Sequence, residues 1–196
     1  MNIINIGIDI DGVINDLSLF HISCGTKFCY EQKINYQLNP HVMDSQDIFS
    51  WGKEIDKRFW ENYYTKLLMC KDFVRPYAAD TIKHLSQTNN KIFIITARQD
   101  SDLPYVEKRS MRELTEIFLS TNNIYYDELI LTNDKWEIIQ TYNINVMLED
   151  SPAFFKHEKR ISSVSLICFN APYNQGIQDD TLLRIYSWYD FLNLKL

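Results

Sequence analysis

The chain has 196 residues, 45% hydrophobic and 23% charged, with 26 acidic against 20 basic side chains and a formal net charge of −6. At this length one domain can bury roughly 70% of the surface its unfolded chain exposes, so neither disulfides nor a structural metal is needed for a core. The acidic surplus excludes a broad, sequence-independent grip on a nucleic acid polymer or an anionic membrane, which depends on excess Lys and Arg. The first apolar run, Ile3-Ile4-Asn5-Ile6-Gly7-Ile8-Asp9-Ile10, reads as a buried strand. Its two-residue period puts Ile4, Ile6, Ile8 and Ile10 on one face and Gly7, Asp9 and Asp11 on the other. Asp9 and Asp11 therefore converge at the carboxyl end of the strand, the edge where open α/β sheets bind ligands. Gly12 follows directly and permits a sharp turn close to a ligand. Gly7 and Gly12 have the separation of a P-loop, but Val13-Ile14 stand where its Lys and Ser/Thr belong, and no GxGxxG occurs.

The next strand candidate lies about 80 residues on, far beyond the reach of one crossover helix. Residues 14–75 are expected to form a helical insertion, clearest from Ile55 to Cys70, with Phe20, Phe49, Trp51, Phe59, Trp60, Tyr63 and Tyr64 among its aromatics. Two readings stand open: a small subdomain with its own aromatic core, or a cap that closes over a site and offers a flat face to a base. Further strands are predicted at Lys91–Thr96, Glu128–Leu131, Asn145–Glu149 and Val164–Phe169. Helical spacing runs from Val106 to Thr121 through Met111, Leu114, Ile117 and Phe118. Alternating strands and helices predict an α/β fold whose mainly parallel sheet is covered on both faces.

Three later strand or helix ends carry polar groups toward the same edge. Thr96 ends the second strand; its hydroxyl and the following amides suit a phosphate oxygen, or it caps a helix. Lys135 opens the helix that runs to Tyr142, where a cation opposes the helix dipole unless an anion is near; the alternative is a solvated surface lysine. Glu149-Asp150-Ser151-Pro152 follows the fourth strand; adjacent acids there fit a hard-metal site, and Asp150 or Ser151 also fits a helix cap. Cys24, Cys29, Cys70 and Cys168 make no CxxC pair, and His21, His41, His84 and His157 are scattered, so they read as reduced thiols and ordinary histidines. The opening Met1–Asn5 lacks a secretory pattern and no apolar run approaches a membrane span, so a cytoplasmic protein is expected.

Together these residues resemble the haloacid dehalogenase (HAD) superfamily of phosphotransferases. Asp9-Ile10-Asp11-Gly12-Val13 resembles its nucleophile motif, Ile94-Ile95-Thr96-Ala97-Arg98 the second, Lys135 the third and Leu148-Glu149-Asp150-Ser151 the fourth. Asp11 to Asp16, the insertion after the first motif, and Phe169-Asn170-Ala171-Pro172-Tyr173-Asn174 resemble the 5'(3')-deoxyribonucleotidase group. Glu149 departs from the Asp of many members, and Arg98 from the better-known nucleotidases. The resemblance implies a three-layer Rossmann-like core (1–13 and 76–196) with a small helical cap (14–75) inserted after the first strand. It implies catalysis by Asp9 as nucleophile and Asp11 as acid/base, with Thr96, Ala97 and Lys135 on phosphate. Mg²⁺ would be held by Asp9, Asp11 through its carbonyl, and Asp150; Glu149 would stand behind them and Arg98 would touch substrate. The expected activity is hydrolysis of a small phosphomonoester, foremost a nucleoside monophosphate, by a 5'-nucleotidase for which a homodimer is the candidate assembly. A sugar-phosphate phosphatase and a non-catalytic nucleotide binder are the alternatives.

Overall fold

Six short strands pair in parallel throughout, in the spatial order β3-β2-β1-β4-β5-β6. They are β1 (Asn5–Ile8), β2 (Lys91–Thr96), β3 (Glu128–Leu131), β4 (Val146–Glu149), β5 (Ser165–Phe169) and β6 (Leu183–Ile185). The computed structural model describes residues 3–69, 71–103, 107–156 and 163–194. From β1 the chain winds outward to β3, then returns past β1 to build β4, β5 and β6 on the other side. Such a reversal opens a crevice at the carboxyl ends of the central strands. The register puts Ile8 opposite both Ile94 and Leu148, so the residues that follow each of these meet at one edge.

Both faces of the sheet are covered, as parallel sheets require. Ile6, Ile8 and Ile10 pack with Ile94, Leu148 and Ile167 under α4 (Ala78–Gln87), α5 (Met111–Thr121) and α8 (Trp188–Leu192). Phe93, Ile95, Met147 and Leu166 form the other face with Trp136 of α6 (Lys135–Thr141) and Phe154 of α7 (Pro152–Phe155). The alternation read from the first strand is thus the division between the two faces. Gly7 belongs to the second face, where a Cβ would come within 2.7 Å of the Met147 sulfur. α5 begins at Met111, because Ser110 and Glu113 form a reciprocal cap there. Val106, where helical spacing begins, lies outside the described residues.

The inserted segment holds α1 (Leu17–Gln32), α2 (Ser45–Phe49) and α3 (Lys53–Met69), and no regular helix spans residues 33–44. Cys70, the expected end of the third helix, lies outside the described residues, as does His157. Phe20, Phe28, Phe49, Trp51, Phe59 and Tyr63 form a separate buried cluster. The chain's outward and return crossings are tied together. Asp16 donates its amide to the Phe73 carbonyl (2.7 Å), and the Arg75 amide donates to the Ile14 carbonyl (2.8 Å). The Arg75 side chain bonds the Gly12 carbonyl (3.1 Å), pairs with Asp16 (3.1 Å) and lies over the Phe169 ring (4.5 Å). Among the described residues no helix is long and apolar enough to cross a membrane.

Candidate active site

Every sequence-predicted site residue lines one cavity of about 630 Å³ at the carboxyl edge of the sheet: Asp9, Asp11, Thr96, Ala97, Arg98, Lys135, Glu149 and Asp150. The strand register brings them together. Asp9, the first residue past β1, donates its amide to the Leu148 carbonyl and so sits beside the end of β4. Thr96 is the last residue of β2 and is fully enclosed, and Glu149 is the last of β4. No helix starts at Thr96, since the short 3₁₀ turn that follows is capped by Gln99; the helix-cap reading of Thr96 falls away. Asp150 does not cap α7 either, whose N-cap is Ser151.

Lys135 is the positive centre of the site. Its ammonium lies 2.8 Å from Asp9 and 2.8 Å from Glu149, with only 10% of the side chain exposed. The cation in the first turn of α6 is thereby explained by two anions, and it is not a solvated surface lysine. Burial opposes its charge, but the two carboxylates outweigh that and hold its pKa above the ordinary lysine value. Glu149 uses its second oxygen to accept the Asp150 amide at 3.0 Å.

Asp9 and Asp11 experience opposite environments. Burial, reinforced by the charges of Glu149 and Asp11 and only partly offset by Lys135, pushes Asp9 up to about 8. Burial also acts to raise Asp11, but the charge and hydrogen bonds of Arg98, with a bond from Asn15, outweigh it and hold Asp11 below the usual carboxylate range. Arg98 grips Asp11 through both Nε (2.7 Å) and Nη2 (2.8 Å). Its third nitrogen, Nη1, is buried without a hydrogen-bond partner among the described residues. Such planar, two-point pairing orients a carboxylate as well as charging it.

Four supporting residues carry no predicted site role. Asn15 bridges the turn, accepting the Gly12 amide (2.9 Å) and donating to Asp11 (2.8 Å). Tyr173 donates its hydroxyl to Asp150 Oδ2, and keeps its proton because burial and the Asp150 charge raise its pKa. The fully buried Asn174 donates to the carbonyls of Asp150 and Phe169, both at 2.9 Å. Arg75 fixes the Gly12 carbonyl from the far crossing of the insertion. Sequence signals existed only for the three inside quoted motifs. Arg75 lies between them and has no local pattern.

The carboxylates of Asp9, Glu149 and Asp150 place oxygens within 4.8 Å of one another. Asp150 Oδ1 is buried and has no hydrogen-bond partner among the described residues. Burial and the neighbouring charges of Glu149 and Asp9 drive the Asp150 pKa well above the ordinary value, despite Tyr173. An orphaned oxygen within a hard, all-oxygen donor set suits a small divalent cation. Gly12 is required at this point: its φ is +92°, and a Cβ would fall 1.8 Å from Asp150 Oδ2. Of the aromatics in the insertion, Tyr64 reaches this cavity and Trp60 reaches an adjoining one, while Phe20, Trp51 and Tyr63 belong to the buried cluster. The insertion thus has an aromatic core of its own, and it also turns two aromatic side chains toward the cavities.

The chain is similar to known proteins over nearly its whole length. The family described as 5' nucleotidase, deoxy (pyrimidine), cytosolic type C protein matches residues 2–196. A nucleotidase of Clostridium acetobutylicum is 27% identical over 194 residues, covering 96% of this chain and 91% of its own. Among solved structures, a HAD-superfamily hydrolase of subfamily IA from Geobacter sulfurreducens superposes with a TM-score of 0.60 at 11% identity, covering 97% of this chain and 95% of its own. β-Phosphoglucomutase from Clostridium difficile reaches 0.55 at 15% identity, covering 98% and 96%. These two likenesses establish the HAD-type α/β fold, and a mutase among them shows that the fold alone does not name the reaction.

Proposed function

Because the chain belongs to the 5' nucleotidase, deoxy (pyrimidine), cytosolic type C family, it is a phosphatase or nucleotidase hydrolase, and we propose that it cleaves a nucleoside monophosphate through an aspartyl-phosphate on Asp9. The observation that carries this reading is the meeting of Asp9 with Lys135, Thr96 and the Arg98-held Asp11 in one cavity. Asp9 Oδ attacks phosphorus as the bond to the leaving oxygen breaks, and Asp11 delivers a proton to that oxygen. Water then attacks the acyl phosphate, Asp11 takes its proton, and orthophosphate leaves with Asp9 restored. Dividing one displacement into two in this way requires the two carboxylates to hold different protonation states.

Thr96, the Ala97 amide and Lys135 hold the remaining phosphate oxygens and meet the charge that develops on them. Glu149 keeps Lys135 in place and, through the Asp150 amide, sets the next carboxylate. Mg²⁺ held by Asp9, the Asp11 carbonyl and Asp150 would supply the positive charge that keeps Asp9 ionised and lessens its repulsion from a phosphate dianion. Arg98 keeps Asp11 ionised while the pair is intact, so proton uptake by Asp11 accompanies loosening of that pair as substrate enters. Arg98 is then released toward a substrate oxygen, which joins its substrate contact to its grip on Asp11. Residues 14–75 act as the cap over this site, with 1–13 and 76–196 as its base.

The test is release of orthophosphate from a panel of nucleoside monophosphates and sugar phosphates, with Mg²⁺ and with EDTA. Release from nucleotides only with Mg²⁺, and its loss by at least about a thousandfold in Asp9→Asn, is the expected result. Undiminished turnover in Asp9→Asn overturns the mechanism. A panel in which only sugar phosphates react overturns the substrate.

A further inference from the structure

The site just described accounts for the phosphate end of a substrate and leaves a second cavity unexplained. It has a volume of about 530 Å³, is lined by the inserted segment together with Asp11, and shares Asp11 and Met43 with the first. The two therefore adjoin beside the proposed proton donor. A volume of this size accepts a group as large as a nucleoside. Its wall contains His21, Trp60, Asp44, Asp47 and Asp56, and no Lys or Arg among the described residues.

His21 is the anomaly in that wall. It projects from α1 with 3% of its surface exposed, and neither Nδ1 nor Nε2 has a hydrogen-bond partner among the described residues. A neutral imidazole carries one N–H and one lone pair, and leaving both unmet in a buried position is unfavourable for each group. The large majority of buried side-chain polar atoms find at least one partner, so a histidine with neither nitrogen satisfied stands apart. Burial pushes the pKa of His21 down to about 4 even with the Asp11 charge nearby, so the ring is neutral at pH 7.

The surroundings hold that ring still. Phe20 lies 5.7 Å away on one side, and Trp60 meets it edge-on at 5.5 Å on another. Trp60 is fixed by donating its indole N–H to Ser45 Oγ (3.0 Å). Ser45 in turn donates to Asp56, which also accepts the Trp51 indole (2.8 Å). A polar network thus braces the aromatic neighbours of an imidazole that itself takes no part in it. That is the arrangement of a group reserved for a ligand: its rotamer is determined by packing and its hydrogen-bonding capacity is unspent.

We propose that this second cavity receives the part of the substrate beyond the phosphate, and that His21 is its specificity-determining residue, hydrogen-bonding an uncharged, polar leaving group such as a nucleoside. The inference rests on the phosphomonoesterase reading for the position of the phosphate. The carboxylates of Asp44, Asp47 and Asp56, with no cationic side chain among the described lining residues, disfavour a second anionic group in the same space. Phosphomonoesters with a neutral remainder are thereby selected over bisphosphates. Met43, common to both cavities, stands with Asp11 where the two adjoin.

Binding separates this inference from the chemistry. In the Asp9→Asn protein with Mg²⁺, calorimetric titration compares inorganic phosphate with uridine, cytidine, adenosine and guanosine 5'-monophosphates and glucose 6-phosphate. The tightest organic phosphate is expected to bind better than inorganic phosphate. His21→Phe is expected to weaken it by roughly tenfold or more while leaving inorganic phosphate unchanged. His21→Gln, which retains a donor and an acceptor, is expected to recover most of the loss. Unchanged affinity in His21→Phe, a parallel fall for inorganic phosphate, or organic phosphates no tighter than inorganic phosphate each overturns the proposal. Failure of the unmodified chain to release phosphate, with the His21 dependence of binding intact, refutes the catalytic reading and leaves the pocket assignment standing.

Discussion

The carboxyl edge of the sheet and the inserted helical segment are built on opposite terms. At the sheet edge, Asp9, Lys135, Glu149 and Asp150 are enclosed and stand within a few ångströms of one another. Three carboxylates against one ammonium is a costly composition for a buried volume, and the raised pKa values of Asp9 and Asp150 record the cost. In the insertion, the buried volume is a cluster of stacked and edge-on rings around Phe59, with polar groups confined to the cavity wall. The first region is built at a cost in stability and the second supplies stability of its own. Unsatisfied polar atoms occur in both, at Asp150 Oδ1 and Arg98 Nη1 in one and at His21 in the other, and each lies beside a cavity.

The comparison can be broken most forcefully at Lys135. Lys135→Met removes the cation from between two buried acids, and the loss of stability is expected to be about 3–5 kcal/mol. Urea unfolding checks it, and phosphate release should fall below detection in the same preparation. A variant as stable as the parent would mean that the acids carry no net charge in the folded state.

Phe59→Ala attacks the other region. Phe59 is fully buried and touches Phe28, Trp51, Trp60 and Tyr63, so its truncation should cost about 3–5 kcal/mol through lost burial and a cavity. The cost should not vary between pH 5 and pH 8, whereas that of an edge substitution should. Equal pH dependence at the two sites would dissolve the distinction between them.

The smaller effect sharpens the comparison through its sign. In EDTA, Asp9→Asn is expected to be more stable than the parent at pH 8, by about 1–3 kcal/mol. The folded protein holds Asp9 protonated up to about 8, whereas the unfolded chain ionises near 4, so folding binds a proton in that window. Stability of the parent therefore falls as pH rises from about 4 to about 8, and the advantage of the variant grows across the same range. Added Mg²⁺ should favour the parent and reverse the order. Thermal melting at pH 4, 6 and 8 reads it directly.

Much of the edge was legible in the chain itself. The boundaries of β2 and β3 coincide with the apolar runs at Lys91–Thr96 and Glu128–Leu131, because short β-branched runs flanked by polar residues have few other outcomes. β6 left little trace, being three residues long and held in place by pairing with β5. Asp9, Thr96, Lys135 and Asp150 stand at element ends, where a side chain's direction follows from the period of the element. The grip of Arg98 on Asp11, the bond of Tyr173 to Asp150 and the reach of Arg75 to Gly12 span 87, 23 and 63 residues, and no local pattern encodes them.

The sequence by itself determined five of the six strands, the two faces of the first and which acids end up at strand termini, since these follow from local periodicity and from the chemistry of single residues. Tertiary structure alone decided which charges neighbour one another. That settled the opposite pKa directions of Asp9 and Asp11, because electrostatic energy depends on separation and burial, which are quantities of the folded chain. It also turned His21 from a histidine without a motif into an unpaired imidazole on a cavity wall, a position created only when α1, α2 and α3 close around it.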